Sequence, residues 1–294
     1  PSYIYGGKCI SFTINRQSQG VLQPSNHFEI SGNGKLEETI KYSGTHDLVK
    51  AAVRTLGSIH KKVLDNPVKL SYQTTIPQCA GLGGSAAIVI ATMRALNTYH
   101  HLSLSKEDIA EYALQAEVKE LGITGGFQDR YAISFEGFLS MDFAGKEYFR
   151  DTDPPGKVIS LPIHKLPCFI CWNSRCITSG SIHDAIRQRF LDGDKIVKHQ
   201  MDSLAAITEK AVTPLLQRDW RRVSELMNEH TLLREEVLPH LPSDRTMIER
   251  AQSYGAWGAK LAGSSGSIIV LSPNETVFKS MSVYYSCLKP KIVP

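Results

Sequence analysis

The stretch Ile76-Pro77-Gln78-Cys79-Ala80-Gly81-Leu82-Gly83-Gly84-Ser85-Ala86-Ala87 decides how the rest of the chain is read. Before it, Val68-Lys69-Leu70-Ser71-Tyr72-Gln73-Thr74 alternates apolar and polar residues, which predicts a half-buried strand. After it, Ile88 to Tyr99 is rich in apolar residues and lacks Pro and Gly, which predicts a buried helix. Three glycines and a serine therefore occupy a strand-to-helix turn. Glycine there permits positive φ and a close approach of backbone to ligand. The first turn of a helix presents unpaired N–H groups and the positive end of its dipole. The combination suits an anion, a phosphate first of all. A glycine turn that binds nothing is the plain alternative. The stretch lacks the Gly-Lys-Ser/Thr ending of a Walker loop and the G-x-G-x-x-G spacing of a dinucleotide fingerprint.

Composition narrows the setting. The chain has 294 residues, enough for one large or two modest domains, and is 42% hydrophobic and 21% charged, ordinary values for a globular protein. A net charge of +4 without a basic run argues against nucleic acid, while leaving room for a locally positive pocket. No apolar run approaches the roughly 20 residues a bilayer span needs, and no signal peptide is visible. Cys168-Phe-Ile-Cys171 has C-x-x-C spacing but reads as a strand, where residues three apart face opposite ways. Buried, reduced cysteines of a cytoplasmic protein are the expectation, rather than a metal site.

Ahead of the central stretch, Cys9 to Ile14, Phe28 to Ile30 and Thr39 to Tyr42 read as strands, with a turn at 32–34, and Asp47 to Leu64 as one helix. Gly6-Gly7-Lys8 is either a turn into a strand or a source of positive charge for a phosphoryl group. Beyond it, Ser105 and Asp108 form a capping-box pattern that starts a helix running to about Lys119. Glu117 and Glu120 oppose the dipole at that helix's end, so either is a candidate for a Mg²⁺ ion or for plain solvation. Gly122 to Tyr131 places Asp129 and Arg130 in a glycine-rich turn. They read as an ion pair, or as an acid that orients an acceptor hydroxyl near a transferred phosphate. Phe138 to Phe143 alternates as a strand, and Asp151 to Gly156 is a turn-rich break. Val158 to Pro162 and Cys168 to Asn173 are strands; Arg187 and Arg189, near His183, face a sugar acid or solvent. Asp194 to Gln217 and Trp220 to Leu238 are amphipathic helices, with His230 at a core edge. Ser243-Asp244 caps a further helix to Tyr254, and Gly255 to Leu271 is a glycine-rich hairpin into a strand.

Several of these segments resemble one family. Pro77, Gly81, Leu82, Gly83, Ser85, Ala86 and Ala87 fall in step with the second signature of the GHMP kinases, whose loop wraps the triphosphate of ATP. Glu117 to Tyr131, Phe135-Glu-Gly137, Met141-Asp-Phe143 and Thr178-Ser-Gly-x-Ile-His183 are similar to plant-type glucuronokinases, as is Leu226-Met-Asn228 with Leu233-Arg234. Heptose 7-phosphate kinases share the Gly-Gly-x-Gln-Asp-x-Tyr segment. Gly255 to Leu271 resembles the third signature, with Ser264, Ser265 and Ser267 where relatives carry glycines. Tyr3 stands where glucuronokinase-like sequences carry an Asp.

The resemblance implies a two-lobed α+β fold, with an α/β nucleotide-binding domain at 1–153 and a ferredoxin-like domain at 154–294. It implies ATP on Pro77, Ala80, Gly81, Leu82, Gly83, Gly84, Ser85 and Ala86, and Mg²⁺ on Ser85 and Glu117, with Glu120 the competing choice. Asp129 becomes the base, Lys8 and Arg130 secondary charge stabilisers. Tyr5, Gln128, Asp129, Arg187, Gly263 and Ser264 become the substrate contacts. The expected reaction is phosphoryl transfer to a sugar or sugar-acid hydroxyl, glucuronic acid foremost. A heptose-phosphate or mevalonate-type kinase, or an impaired nucleotide-binding relative, is the alternative. The protein is expected to be cytoplasmic, a monomer or homodimer, with no nucleic-acid or membrane partner.

Overall fold

The elements in chain order are β1 (Lys8–Phe12), β2 (Ser18–Pro24), β3 (Glu29–Gly32), β4 (Lys35–Glu37), α1 (Asp47–Ile59), α2 (Lys62–Asp65), β5 (Val68–Thr74), α3 (Gly84–His100), α4 (Lys106–Gln115) and α5 (Phe127–Phe135). There follow β6 (Phe138–Asp142), β7 (Lys157–Ser160), β8 (Cys168–Trp172), α6 (Gly180–Leu191), α7 (Lys195–Gln217), α8 (Trp220–Val237), α9 (Pro242–Ser253), β9 (Gly258–Leu261), β10 (Ser267–Leu271), α10 (Glu275–Ser282) and β11 (Ser286–Leu288). The computed structural model describes residues 2–123, 125–146, 153–173 and 180–293, the side chains of Tyr3 and of residues 181–185 excepted. The expectations on Tyr3, Thr178 and His183, and on the first two residues of the 151–156 break, lie outside that description. The mixture of helix and sheet is the α+β class expected.

Two compact units share the chain: residues 1–15, 77–82 and 136–294 form one, residues 16–76 and 83–135 the other. In the second, β2-β5-β3-β4 make one sheet, β5 antiparallel to β2 and parallel to β3. Helix α3 is the centre of this unit. Its Val89, Ile90, Met93 and Leu96 pack with Ala51, Ala52, Val53 and Leu56 of α1, Val68 of β5, and Ile109 and Ala113 of α4. Gly20 on β2 permits a close crossing, since a Cβ there would lie 3.4 Å from the Ala91 carbonyl.

In the first unit, β11-β8-β10-β9 form an antiparallel sheet and β1-β6-β7 a second. One face of the four-stranded sheet, with Phe169, Cys171, Ala259, Leu261, Ile268 and Val270, packs on α9 and α10 through Met247, Ile248, Ala251, Val277 and Met281. Cys168 belongs to a different core, with Phe138, Leu215 of α7 and Val223 of α8. The two cysteines of the C-x-x-C pattern thus face opposite ways, as strand geometry requires.

Four local expectations are corrected. Thr39 to Tyr42 is not a strand: Asn33-Gly34, both at positive φ, turn β3 straight into β4, the two-residue loop that suits a hairpin. The helix expected at 47–64 breaks between α1 and α2, because Leu64 folds back over Gly57, where a Cβ would lie 2.4 Å from it. Helix α9 starts earlier than Ser243: Leu241 is its N-cap and Pro242 its first residue, a position where the missing N–H costs nothing. Cys79 is exposed on its loop and disulfide-bonded, not buried and reduced, whereas Cys9, Cys168, Cys171 and Cys287 are free.

Candidate active site

The predicted turn is present. β5 ends at Thr74 and α3 begins at Gly84, with Gly83 as N-cap in the left-handed region at φ 69°. No side chain caps this helix, and its first turn closes with the Ala87 amide donating to the Gly83 carbonyl at 2.9 Å. Ser85 is exposed, while Leu82, Gly83 and Gly84 are half-buried. Backbone amides at a helix N-terminus are thereby left facing outward, the arrangement that accepts an anion. Ala80 and Ala86 are buried, so only their backbone is available to a ligand; Pro77 is half-buried.

Asp129 lies in the first turn of α5, with its Cγ 3.5 Å from where a Cβ on Gly83 would sit. The predicted acid therefore stands against the uncapped end of α3. Enclosure by protein raises the Asp129 carboxyl above its ordinary pKa; Arg130 opposes the rise and Glu117 adds to it.

Glu117 sits in a π-helical segment, Ala116–Glu120, that continues α4. Single π turns inside α-helices are frequent at functional sites. Glu117 is fully buried, and the Arg130 guanidinium donates to its Oε2 from Nε at 2.7 Å and also approaches through Nη2. Arg130 also donates from Nη1 to the Gly126 carbonyl at 2.9 Å. Gly125 makes room for it, since a Cβ there would lie 2.5 Å from Nη2. Glu117 Oε1 is buried without a hydrogen-bond partner. Glu120 is occupied elsewhere, accepting from Arg54 Nε at 3.1 Å and from the Tyr42 hydroxyl at 2.6 Å. Of the two acids weighed from sequence, Glu117 is the one beside Asp129. Among the described residues, no hydrogen bond joins Ser85 to Glu117. Gln128 is half-buried next to Asp129 on α5.

The other unit holds the remaining candidates. Gly81, at φ 65°, is obligatory: a Cβ would lie 2.1 Å from the Ser265 carbonyl oxygen. Gly263 approaches the Gly81 carbonyl closely, 2.8 Å from a Cβ position. The first half of the glycine loop thus rests on the turn between β9 and β10. That turn is held by Asp244, read from sequence only as a helix cap. Its Oδ2 accepts from Ser265 Oγ at 2.6 Å and its Oδ1 from the Gly266 amide at 3.2 Å. The Ser264 carbonyl accepts from Arg234 Nη2 at 2.7 Å. Lys8 donates from Nζ to Glu209 at 2.8 Å and lies 3.7 Å from Asp142. The Glu209 hydrogen bond leads the causes that raise the Lys8 pKa. Tyr5 stacks on Phe190, with ring centroids 4.2 Å apart. Arg187 is half-buried on α6, and Arg189 pairs with Asp194 at 2.8 Å.

The residues fit a divalent cation on one observation: the buried, unpartnered Oε1 of Glu117. Hydroxyl and carboxylate oxygens are the donors that Mg²⁺ takes alongside phosphate oxygens. No helix among the described residues is long and apolar enough to cross a membrane.

Residues 47–137 match the profile described as GHMP kinases N terminal domain, and residues 211–280 that of GHMP kinases C terminal. The chain is 33% identical to probable glucuronokinase 2 of Arabidopsis thaliana, over 93% of this chain and 81% of that protein. It is 32% identical to glucuronokinase 1 of the same organism, with the same shares covered. The fold superposes on Lactococcus lactis galactokinase complexed with galactose at a TM-score of 0.80 and 16% identity, covering 99% of this chain and 89% of the other.

Proposed function

The chain belongs to the GHMP kinase family, phosphotransferases with an alcohol acceptor, and on that premise we propose that it transfers the γ-phosphoryl group of ATP to D-glucuronate. The observation that carries this reading is the Asp129 carboxyl standing against Gly83, at the open amino end of α3.

In the proposed reaction the polyphosphate of ATP lies on the amides of Gly83 to Ala86, with Pro77 and Ala80 to Leu82 continuing the same loop. Fixed amide dipoles there stabilise charge as it develops on the phosphoryl oxygens. The anomeric hydroxyl of the sugar acid attacks the γ-phosphorus and the bond to the β–γ bridging oxygen breaks. The hydroxyl proton passes to Asp129, giving ADP and the sugar-acid 1-phosphate. A carboxyl whose pKa is raised by enclosure is a better proton acceptor than an exposed one. Ser85 and Glu117 would hold Mg²⁺, which neutralises phosphate charge when bound. Arg130 holds Glu117 in place and moderates the charge around Asp129. Lys8, engaged with Glu209 and Asp142, gives its charge from β1. Tyr5, Gln128, Arg187, Gly263 and Ser264 are the residues proposed to contact the acceptor. We place the enzyme in the cytoplasm, as a monomer or homodimer.

The test is an ATP-coupled assay over D-glucuronate, D-galacturonate, a heptose phosphate, mevalonate and neutral hexoses. Turnover greatest with glucuronate supports the reading. Turnover of mevalonate or heptose phosphate alone reassigns the acceptor, and nucleotide binding without any turnover replaces catalysis by a binding role.

A further inference from the structure

The turn between β9 and β10 carries more than its own hairpin. Residues 79–81 of the glycine loop lie against it, backbone to backbone. A Cβ on Gly81 would lie 2.1 Å from the Ser265 carbonyl oxygen, one on Gly263 2.8 Å from the Gly81 carbonyl oxygen, and one on Gly266 3.1 Å from the Cys79 carbonyl oxygen. Contacts of this kind have no side chain to absorb a shift, so the backbone of the turn dictates where Ala80 and Gly81 stand. The base of the hairpin is fixed by its ladder and by the Ala262 amide, which donates to the Ser267 carbonyl at 3.0 Å. The tip at 263–266 lies beyond the ladder and needs a hold of its own.

Asp244 supplies that hold. It is the third residue of α9 and is 1% exposed. A carboxylate at that position commonly reaches back to the amide of the N-cap residue. Here both oxygens reach across to the turn instead, Oδ2 accepting from Ser265 Oγ at 2.6 Å and Oδ1 from the Gly266 amide at 3.2 Å. Burying a carboxylate is costly without such donors. Ser265 is itself buried, so its hydroxyl is spent on this bond. Asp244, Ser265 and residues 79–82 all belong to the same compact unit.

We propose that Asp244 and Ser265 are positioning residues for the nucleotide: their buried hydrogen bond holds the turn that sets residues 79–82 in the conformation that receives polyphosphate. The proposal rests on the nucleotide reading of that loop given above. A loop that occupies its receiving conformation for only a fraction of the time binds more weakly by that fraction. One hydrogen bond to a charged group is worth enough to lower the fraction about tenfold. The effect falls on nucleotide affinity and leaves the transfer step, once the loop is filled, as it was.

The test compares wild type with Ser265→Ala, Asp244→Ala and Thr231→Val. The last is a control that loses another buried hydrogen bond of the same unit, from Thr231 Oγ1 to the Ala259 carbonyl, without touching the turn. The redox state of the buffer is held constant, because Cys79 of the loop is disulfide-bonded. ATP is titrated calorimetrically, kcat and KM are measured with the best acceptor of the panel above, Tm is recorded, and hydrogen exchange is followed at residues 77–82 without nucleotide. Ser265→Ala is expected to raise the ATP dissociation constant about tenfold, to keep kcat and acceptor KM within about twofold, and to quicken exchange at 77–82. Thr231→Val is expected to lower Tm and to leave the ATP dissociation constant unchanged. Asp244→Ala should follow Ser265→Ala; if it does not fold, Ser265→Ala alone decides. Folded Ser265→Ala with wild-type ATP affinity overturns the proposal and leaves the nucleotide reading standing. An equal loss of affinity in Thr231→Val also overturns it, since the pair is then a general support. If wild type binds no ATP, the nucleotide reading falls; the brace on the loop stands where Ser265→Ala quickens exchange and falls where it does not.

Discussion

Around Asp129, two carboxylates share one guanidinium; around Lys260, three basic side chains meet, and no carboxylate pairs with Lys260 or His230 among the described residues. In the first cluster the Glu117 charge is met by Arg130 within the protein. Arg130 is enclosed by Glu117, the Gly126 carbonyl and the space left by Gly125, so its charge is part of the fold. In the second, burial first and then the nearby Arg234 lower Lys260 to about 8. Removing a cation should therefore have opposite consequences in the two places. Where the cation neutralises a buried carboxylate its loss exposes an uncompensated charge; where it faces other cations its loss relieves repulsion.

The largest effect should come from the carboxyl that the proposed chemistry uses. Asp129→Asn is expected to lower kcat by about 10³-fold, within the range for a lost general base, and to leave the ATP dissociation constant within threefold. Single-turnover kinetics and nucleotide titration measure the two. Retained turnover removes Asp129 as the base. The pH profile sharpens the point: a base must be ionised, so activity should fall as pH drops through a pKa above the ordinary 3.8. The same raised pKa makes the ionised carboxylate a stability cost above that pH, so Asp129→Asn should raise Tm at neutral pH.

Next in size is Arg130→Met. It strands Glu117 and should destabilise the protein by about 3–5 kcal/mol in urea unfolding, the cost of breaking a buried pair from one side. Lys260→Met should do the reverse, stabilising by about 1–3 kcal/mol at pH 7, as expected for relief of a lysine shifted by a few pKa units. Its sign is checked by pH. Between about 8 and 10.5 the unfolded lysine holds a proton that the folded one has released. Wild-type stability therefore gains with rising pH across that window, and the advantage of Lys260→Met shrinks there. Equal signs for Arg130→Met and Lys260→Met would break the comparison. The smallest effect is reserved for Glu120→Gln, which removes a surface pair with Arg54 and should cost under about 1 kcal/mol. It should leave the Mg²⁺ dependence of turnover unchanged, whereas Glu117→Gln should weaken it.

Much of the candidate site was legible in the chain itself because its parts are local. The strand at 68–74, the glycine turn and the helix behind it follow from period, glycine and the physics of a helix end. Asp129 was found because it stands in a glycine-rich run beside a cation, although the run proved to lead into α5. Local reading failed where a neighbour distant in sequence took part. Strand β2 was missed because its residues carry little alternation and are held by pairing with β5. Glu117 and Glu120 were equivalent in sequence, and only the reach of Arg54, Tyr42 and Arg130 separated them.

By itself, then, the sequence determined the glycine turn at the amino end of a helix, which is written in residues a few positions apart, and through its family resemblance it implied the α+β class and the acid that accompanies that turn. Tertiary structure decided which carboxylate stands by that acid, what Asp244 holds, and where Lys260 points. Charge is felt through space, and burial and partnership depend on which distant segments fold against one another.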